Sequence, residues 1–150
     1  MNLHTYSFQD LSTQQVYDIL QLRAEVFVVE QDCVYQDVDD KDQKALHVLG
    51  YDSQEKLIAY TRCFAPGEYF EQASIGRVVV RKDQRSEGYG YDLMKYSIAQ
   101  IQSNFYTTTI KISAQTYLHQ FYTSLGFIPI GKEYLEDGIP HIAMIYSDNS

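Results

Sequence analysis

The stretch Val78-Val79-Val80-Arg81-Lys82-Asp83-Gln84-Arg85-Ser86-Glu87-Gly88-Tyr89-Gly90 has the residue types of a phosphate-binding loop. A β-branched run gives way to two glycines. Behind them Leu93, Met94, Ser97, Ile98 and Ile101 recur at helical spacing. A strand, a tight turn and a helix start, in that order, leave the first helical N–H groups without intrahelical partners at the positive end of the dipole. Such a terminus receives anions, and Gly88 and Gly90 let the backbone approach a phosphate closely. Arg85 offers a charged fork to a phosphate oxygen. Two other glycine-rich loops are excluded. A P-loop needs Lys-Ser/Thr after its last glycine, where this chain has Tyr91-Asp92, and a dinucleotide fingerprint needs a small residue where Leu93 stands.

Proton-transfer candidates are spread more widely. His141 and His47 titrate in the range a base needs, and Glu30 heads an acidic stretch that could hold or deprotonate an ammonium. His119 is expected to face solvent. No metal site is expected, because His4, His47, His119 and His141 are scattered without ligand spacing. Cys33 and Cys63 likewise show no paired-ligand spacing and read as separate reduced thiols.

The elements that must position these groups can be read from periodicity. Leu3 to Phe8 predicts a strand, and Ser12-x-x-Gln15 a capping box opening a helix over about Thr13 to Val29. Residues 30–46 read as an acidic loop or broken short helix. His47 to Tyr51 and Leu57 to Phe64 predict a hairpin, and Ile75 to Val80 a further strand. A helix follows Gly90, then a strand over Thr107 to Ser113, and a short helix through Leu118, Phe121, Tyr122 and Leu125, stopped by Gly126. Phe127 to Ile130 and Ile142 to Tyr146 predict two last strands, joined through the turn signal Asp137-Gly138. The order βα–βββ–αβ–αββ predicts one α/β domain over 1–150, a single mixed β-sheet flanked by helices.

Composition narrows the partners. A formal net charge of −8 argues against a general nucleic-acid binder. No apolar run has the length of a membrane span, and the N-terminus lacks a signal-peptide pattern, so a cytoplasmic protein is expected. Five of the twelve Lys and Arg fall between Arg77 and Lys95, and six acids fall between Glu30 and Asp42. The basic island suggests an anionic ligand. The acidic stretch favours a cationic one, such as a polyamine, an amino sugar or a lysine-bearing peptide.

Arg85-x-x-Gly88-x-Gly90, five residues past Val80, resembles the pyrophosphate loop of the GNAT N-acetyltransferase superfamily, and Phe121-Tyr122-x-x-x-Gly126-Phe127 resembles that family's C-terminal helix-to-strand motif. Leu22-Arg23-x-x-Val26-Phe27-Val28-Val29-Glu30-Gln31, Ile75-Gly76-Arg77-Val78 and Glu136-Asp137-Gly138-Ile139-Pro140-His141 resemble its ElaA-like branch. Lys82 departs from the family, where proline is frequent. The resemblance spans the chain and implies the GNAT acyl-CoA N-acyltransferase fold, with acetyl-CoA as co-substrate. It implies pantetheine along Val78, Val79 and Val80, and the pyrophosphate over Arg85, Ser86, Glu87, Gly88, Tyr89, Gly90 and Tyr91. It also implies Tyr122 as the acid for the leaving thiolate, although Tyr122 shares an apolar face with Leu118, Phe121 and Leu125. Its base is left open among His141, His47 and Glu30. The implied reaction is direct attack of a primary amine, from a small-molecule or peptide acceptor, in a ternary complex; the alternative is a catalytically idle module that senses acyl-CoA. A homodimer is compatible with either.

Overall fold

A computed structural model describes residues 1–148. Its order is β1 (Asn2–Ser7), α1 (Thr13–Arg23), β2 (Leu46–Tyr51), β3 (Leu57–Phe64), β4 (Ala73–Val80), α2 (Tyr89–Phe105), β5 (Thr109–Gln115), α3 (His119–Ser124), β6 (Ile128–Glu136) and β7 (Ile139–Ser147). The strands form a seven-stranded sheet ordered β1-β2-β3-β4-β5-β7-β6. Only β4 and β5 run parallel. The element order is the one that periodicity predicts. The last two strands are longer than their apolar runs, because the two-residue turn at Asp137-Gly138 extends the pairing down to Glu136↔Ile139. Among the described residues no helix is long and apolar enough to cross a membrane.

The helices cover both faces. On one, Leu93, Met94, Ile98 and Ile101 of α2 pack on Ile58, Ile75, Ile110 and Ile112 of the sheet. On the other, Ile19, Leu22 and Val26 pack on Leu49, Tyr60 and Val79. Each fully buried side chain of this size stabilises the fold by about 1.5–3 kcal/mol, so the two faces together hold the sheet against its helices. The capping box at Ser12 forms as expected, with Gln15 N–H on the Ser12 hydroxyl and the Gln15 side chain on Ser12 N–H.

The first helix does not run to Val29 as an α-helix. Over Ala24–Glu30 it widens into π-helical turns, in which Gln31 N–H donates to Val26 O and Cys33 N–H to Val28 O, five residues back. β-branched Val26, Val28 and Val29 weaken the α preference of that stretch.

Candidate active site

β4 and β5 pair only at Ala73↔Ile110 and Ser74↔Lys111, and then part. The gap opens into a cleft of about 620 Å³, a size suited to a ligand of drug-like dimensions or larger. Its first wall is the end of β4 with the loop into α2. The facing wall carries Tyr117, Leu118, Phe121 and Tyr122, and its far end carries Phe64, Tyr69, Glu136 and His141.

A bulge turns β4 away from its neighbours. Tyr60 pairs with Val79 and Arg62 with Gly76, so Thr61 faces both Arg77 and Val78. Arg77 sits at φ 50°, a strained region for a residue with a side chain. Its guanidinium is anchored on Asp37, by Nε to Oδ1 at 2.7 Å and Nη2 to the carbonyl at 3.0 Å, which offsets the strain. Beyond the bulge, Arg81 N–H donates to Ile58 O at 2.8 Å while Ala59 pairs with Val80. Val80 is therefore a non-hydrogen-bonded partner of β3, and its own N–H and C=O point into the gap.

The loop ends in a bare helix terminus. Ser86 and Gly88 both take φ 77°, α2 begins at Tyr89, and no side chain caps it. Asp92 N–H bonds Gly88 O as the first intrahelical donor, which leaves the Tyr89, Gly90 and Tyr91 amides unused by the helix. A Cβ on Gly88 would meet no atom within 4 Å, so the space over the turn is open.

Arg85 does not present the free fork expected of it. Nη1 and Nη2 bind Glu30 at 2.6 and 2.9 Å, and Nε donates to Val80 O at 3.0 Å. Arg85 thus ties the loop to the π-helical turn and to β4, with two of its five N–H groups left over. Glu30 is correspondingly an ion-paired carboxylate at the cleft edge.

The two charge concentrations are mostly self-neutralised, which corrects the reading of the acidic stretch as a lure for cations. Asp37, Asp39 and Asp42 bind the guanidinium groups of Arg23, Arg62 and Arg77. Burial pushes the Asp39 carboxyl up, but hydrogen bonding and charge from Arg62 outweigh it and hold it at about 2. In the basic island, Arg81 pairs with Asp83 at 2.6 Å, and Lys95 lies over the Tyr91 ring.

Tyr122 is both core and site. It is 5% exposed, wedged at right angles against Phe121 and Phe127, and still part of the cleft wall. Among the described residues its hydroxyl makes no hydrogen bond, and burial raises the phenol above its ordinary range, so it stays protonated.

The histidines separate clearly. His47 lies outside this cleft, with Nε2 on Asp42 O at 2.8 Å and Nδ1 on the Tyr60 hydroxyl at 2.6 Å. Both contacts suit a neutral ring, and burial pushes its pKa down; His47 is structural and drops out as a base. His119 is half-buried, not solvent-facing, and does not line the cleft. His141 does line it, 6% exposed. Cys33 and Cys63 are unpaired thiols, and burial pushes Cys63 up to about 12.

Sequence reasoning missed the bulge, the π-helical turns, the arginine–aspartate cluster and Glu136. Glu136 was the one with a visible signal, since the Asp137-Gly138 turn sets the register that brings it to His141.

A family model described as an acetyltransferase (GNAT) domain matches residues 7–147. The chain belongs to the GNAT acetyltransferase family. Protein ElaA of Escherichia coli strain K12 is 42% identical over 137 residues, 90% of this chain and 89% of that protein. The crystal structure of Escherichia coli ElaA superposes with a TM-score of 0.88 at 37% identity, covering 98% of this chain and 100% of that one. An acyl-CoA N-acyltransferase from Pseudomonas aeruginosa superposes at 0.91 with 36% identity, over 98% and 100% of the two chains. GNAT proteins transfer an acyl group from acyl-CoA to an amine, with acetyl-CoA as co-substrate. The residues present fit that group: the gap exposes the Val80 N–H and leads to the uncapped amides at the start of α2.

Proposed function

We propose that this chain transfers an acetyl group from acetyl-CoA to a primary amine by direct attack within a ternary complex. The observation that carries the reading is a single continuous groove. It runs from the β4 edge, where Val80 N–H faces the gap, to the amides of Tyr89, Gly90 and Tyr91, with Tyr122 across from it.

Val78, Val79 and Val80 would hold the pantetheine arm as an added strand, with Val80 N–H as donor; Val80 C=O is already engaged by Arg85. The loop from Ser86 to Tyr91 would hold the pyrophosphate on backbone amides, and Arg85 would contribute through its two remaining N–H groups. When bound, the co-substrate supplies an electrophilic thioester carbonyl and a thiolate leaving group. The bulged backbone at Val78 offers an N–H for the oxygen of that carbonyl. Tyr122, protonated and without a competing partner among the described residues, gives its proton to the departing sulfur.

Calorimetry with coenzyme A on the folded protein tests the groove: one saturable site is expected, and absence of heat would remove the reading. Release of free thiol from acetyl-CoA, dependent on an added amine, separates the enzyme from a module that only senses acyl-CoA.

A further inference from the structure

The hairpin from Glu136 to His141 has no part in the chemistry above, yet it closes one end of the cleft. Asp137 and Gly138 take φ 52° and 76°, the conformation of a two-residue turn matched to strand twist. That turn sets Glu136 opposite Ile139 and Tyr134 opposite His141. Glu136 and His141 are therefore diagonal neighbours on one side of the hairpin.

His141 is held at one ring nitrogen. Its Nδ1 lies 2.7 Å from Ile139 O, which can only accept, so Nδ1 carries a proton. Its Nε2 lies 3.2 Å from Glu136 Oε2, and its ring stacks on Tyr134, whose hydroxyl is hydrogen-bonded to that of Ser113. The Glu136 side chain is 46% exposed against 8% for His141, and its other oxygen has no partner among the described residues. Glu136 thus presents a carboxylate at this end of the cleft, with the His141 ring beside it. Tyr69 lines the same cleft, stacked on Phe64 at 5.1 Å and edge-on to Phe70 at 4.8 Å. Burial first, and the Glu136 charge next, push the Tyr69 phenol above its ordinary range, as expected of two groups that share one groove. Of the other acids lining the cleft, Glu30 is paired with Arg85, and Asp137 stands at the exposed turn beside Glu136.

The geometry points to Glu136 as the seat of the acceptor's ammonium, and to an acceptor that is a monoamine on an apolar, ring-sized body lying against Tyr69. The catalytic part of this assignment rests on the acyltransferase reading; the ammonium binding does not. Glu136 takes one proton from the ammonium and passes it to water. The freed nitrogen lone pair forms the C–N bond as the C–S bond breaks. The second nitrogen proton replaces the one that Tyr122 gives to sulfur, so one amide, one thiol and one proton leave for each ammonium and thioester consumed.

The test is an amide-resolved NMR titration of the whole chain, with and without coenzyme A, using phenethylamine, phenethyl alcohol and spermidine. Phenethylamine should shift the amides of residues 134–141 saturably. The alcohol and spermidine should each bind at least about ten-fold more weakly, a difference of about 1.4 kcal/mol. Glu136→Gln, at a half-exposed position that leaves the fold intact, should erase the preference for amine over alcohol. His141→Gln should keep that preference, because the Glu136 carboxylate carries the charge that is read. Amine shifts mapping elsewhere, a preference that survives Glu136→Gln, or spermidine binding as tightly would each overturn the assignment. Coenzyme A shifts at residues 86–91 without amine shifts would sink this site alone. Amine shifts without coenzyme A shifts would sink the acyltransferase reading alone.

Discussion

At the scale of single residues, Tyr122 and Glu30 exchange the roles that position alone would give them. Tyr122 looks like packing, yet its hydroxyl borders the cleft without a protein partner among the described residues. Tyr122→Phe should lower turnover about a hundred-fold or more while acetyl-CoA affinity, measured by calorimetry, stays unchanged. Glu30 looks like a base, yet both its oxygens are held by Arg85. Glu30→Gln should leave saturated turnover within a few-fold of wild type. It should also lower the KM for acetyl-CoA at low salt, because Arg85 is then free to meet a phosphate; steady-state kinetics at two ionic strengths checks both. Loss of turnover in Glu30→Gln would restore Glu30 as a base.

At the scale of elements, the two glycines of the loop between β4 and α2 do different jobs. Gly88 caps α2 at φ 77°, whereas Gly90 sits inside the first helical turn, where an added Cβ would meet Phe121 at an ordinary 3.5 Å. Gly88→Ala should cost about 1 kcal/mol of stability and weaken coenzyme A binding. Gly90→Ala should leave stability unchanged or slightly raised, since alanine is the better helix former. Denaturant unfolding of the two variants side by side checks the contrast. The π-helical turns act at the same scale: they carry Glu30 to the loop, so the grip on Arg85 is set by helix winding and not by sequence proximity.

At the scale of the whole molecule, the buried arginines join distant parts of the chain. Arg23 is fully buried on α1 and binds Asp37 and Asp42; Arg62 on β3 binds Asp39 and Asp42; Arg77 on β4 binds Asp37. Arg23→Ala should destabilise the fold at the lower end of about 3–5 kcal/mol, because Asp37 and Asp42 each keep a second arginine. Acid should destabilise the protein in two pH windows. His47 has a folded pKa below its ordinary 6.5, so its contribution is present above that pH and is lost as the ring is forced to charge below it. Asp39 and Asp42 are held below the ordinary 3.8, Asp39 at about 2, so their contribution is present above 3.8 and is lost as pH falls towards 2. Melting temperatures measured across that range should be flat near neutrality and fall in both windows.

What the sequence determined by itself was whatever depends on neighbours along the chain. Periodicity set the element order, Ser12 with Gln15 set a helix start, Asp137-Gly138 set a hairpin, and the glycines after Val80 set a bare helix terminus. Tertiary structure alone decided which charges remain free. Arg85 and Glu30 lie 55 residues apart in the chain yet meet at the cleft edge, and Asp37 finds Arg77 across 40 residues. Pairing between such groups depends on where β4 bulges and how widely a helix turns. A one-dimensional pattern does not encode those distances, because electrostatic partners are chosen in space, after the sheet has formed.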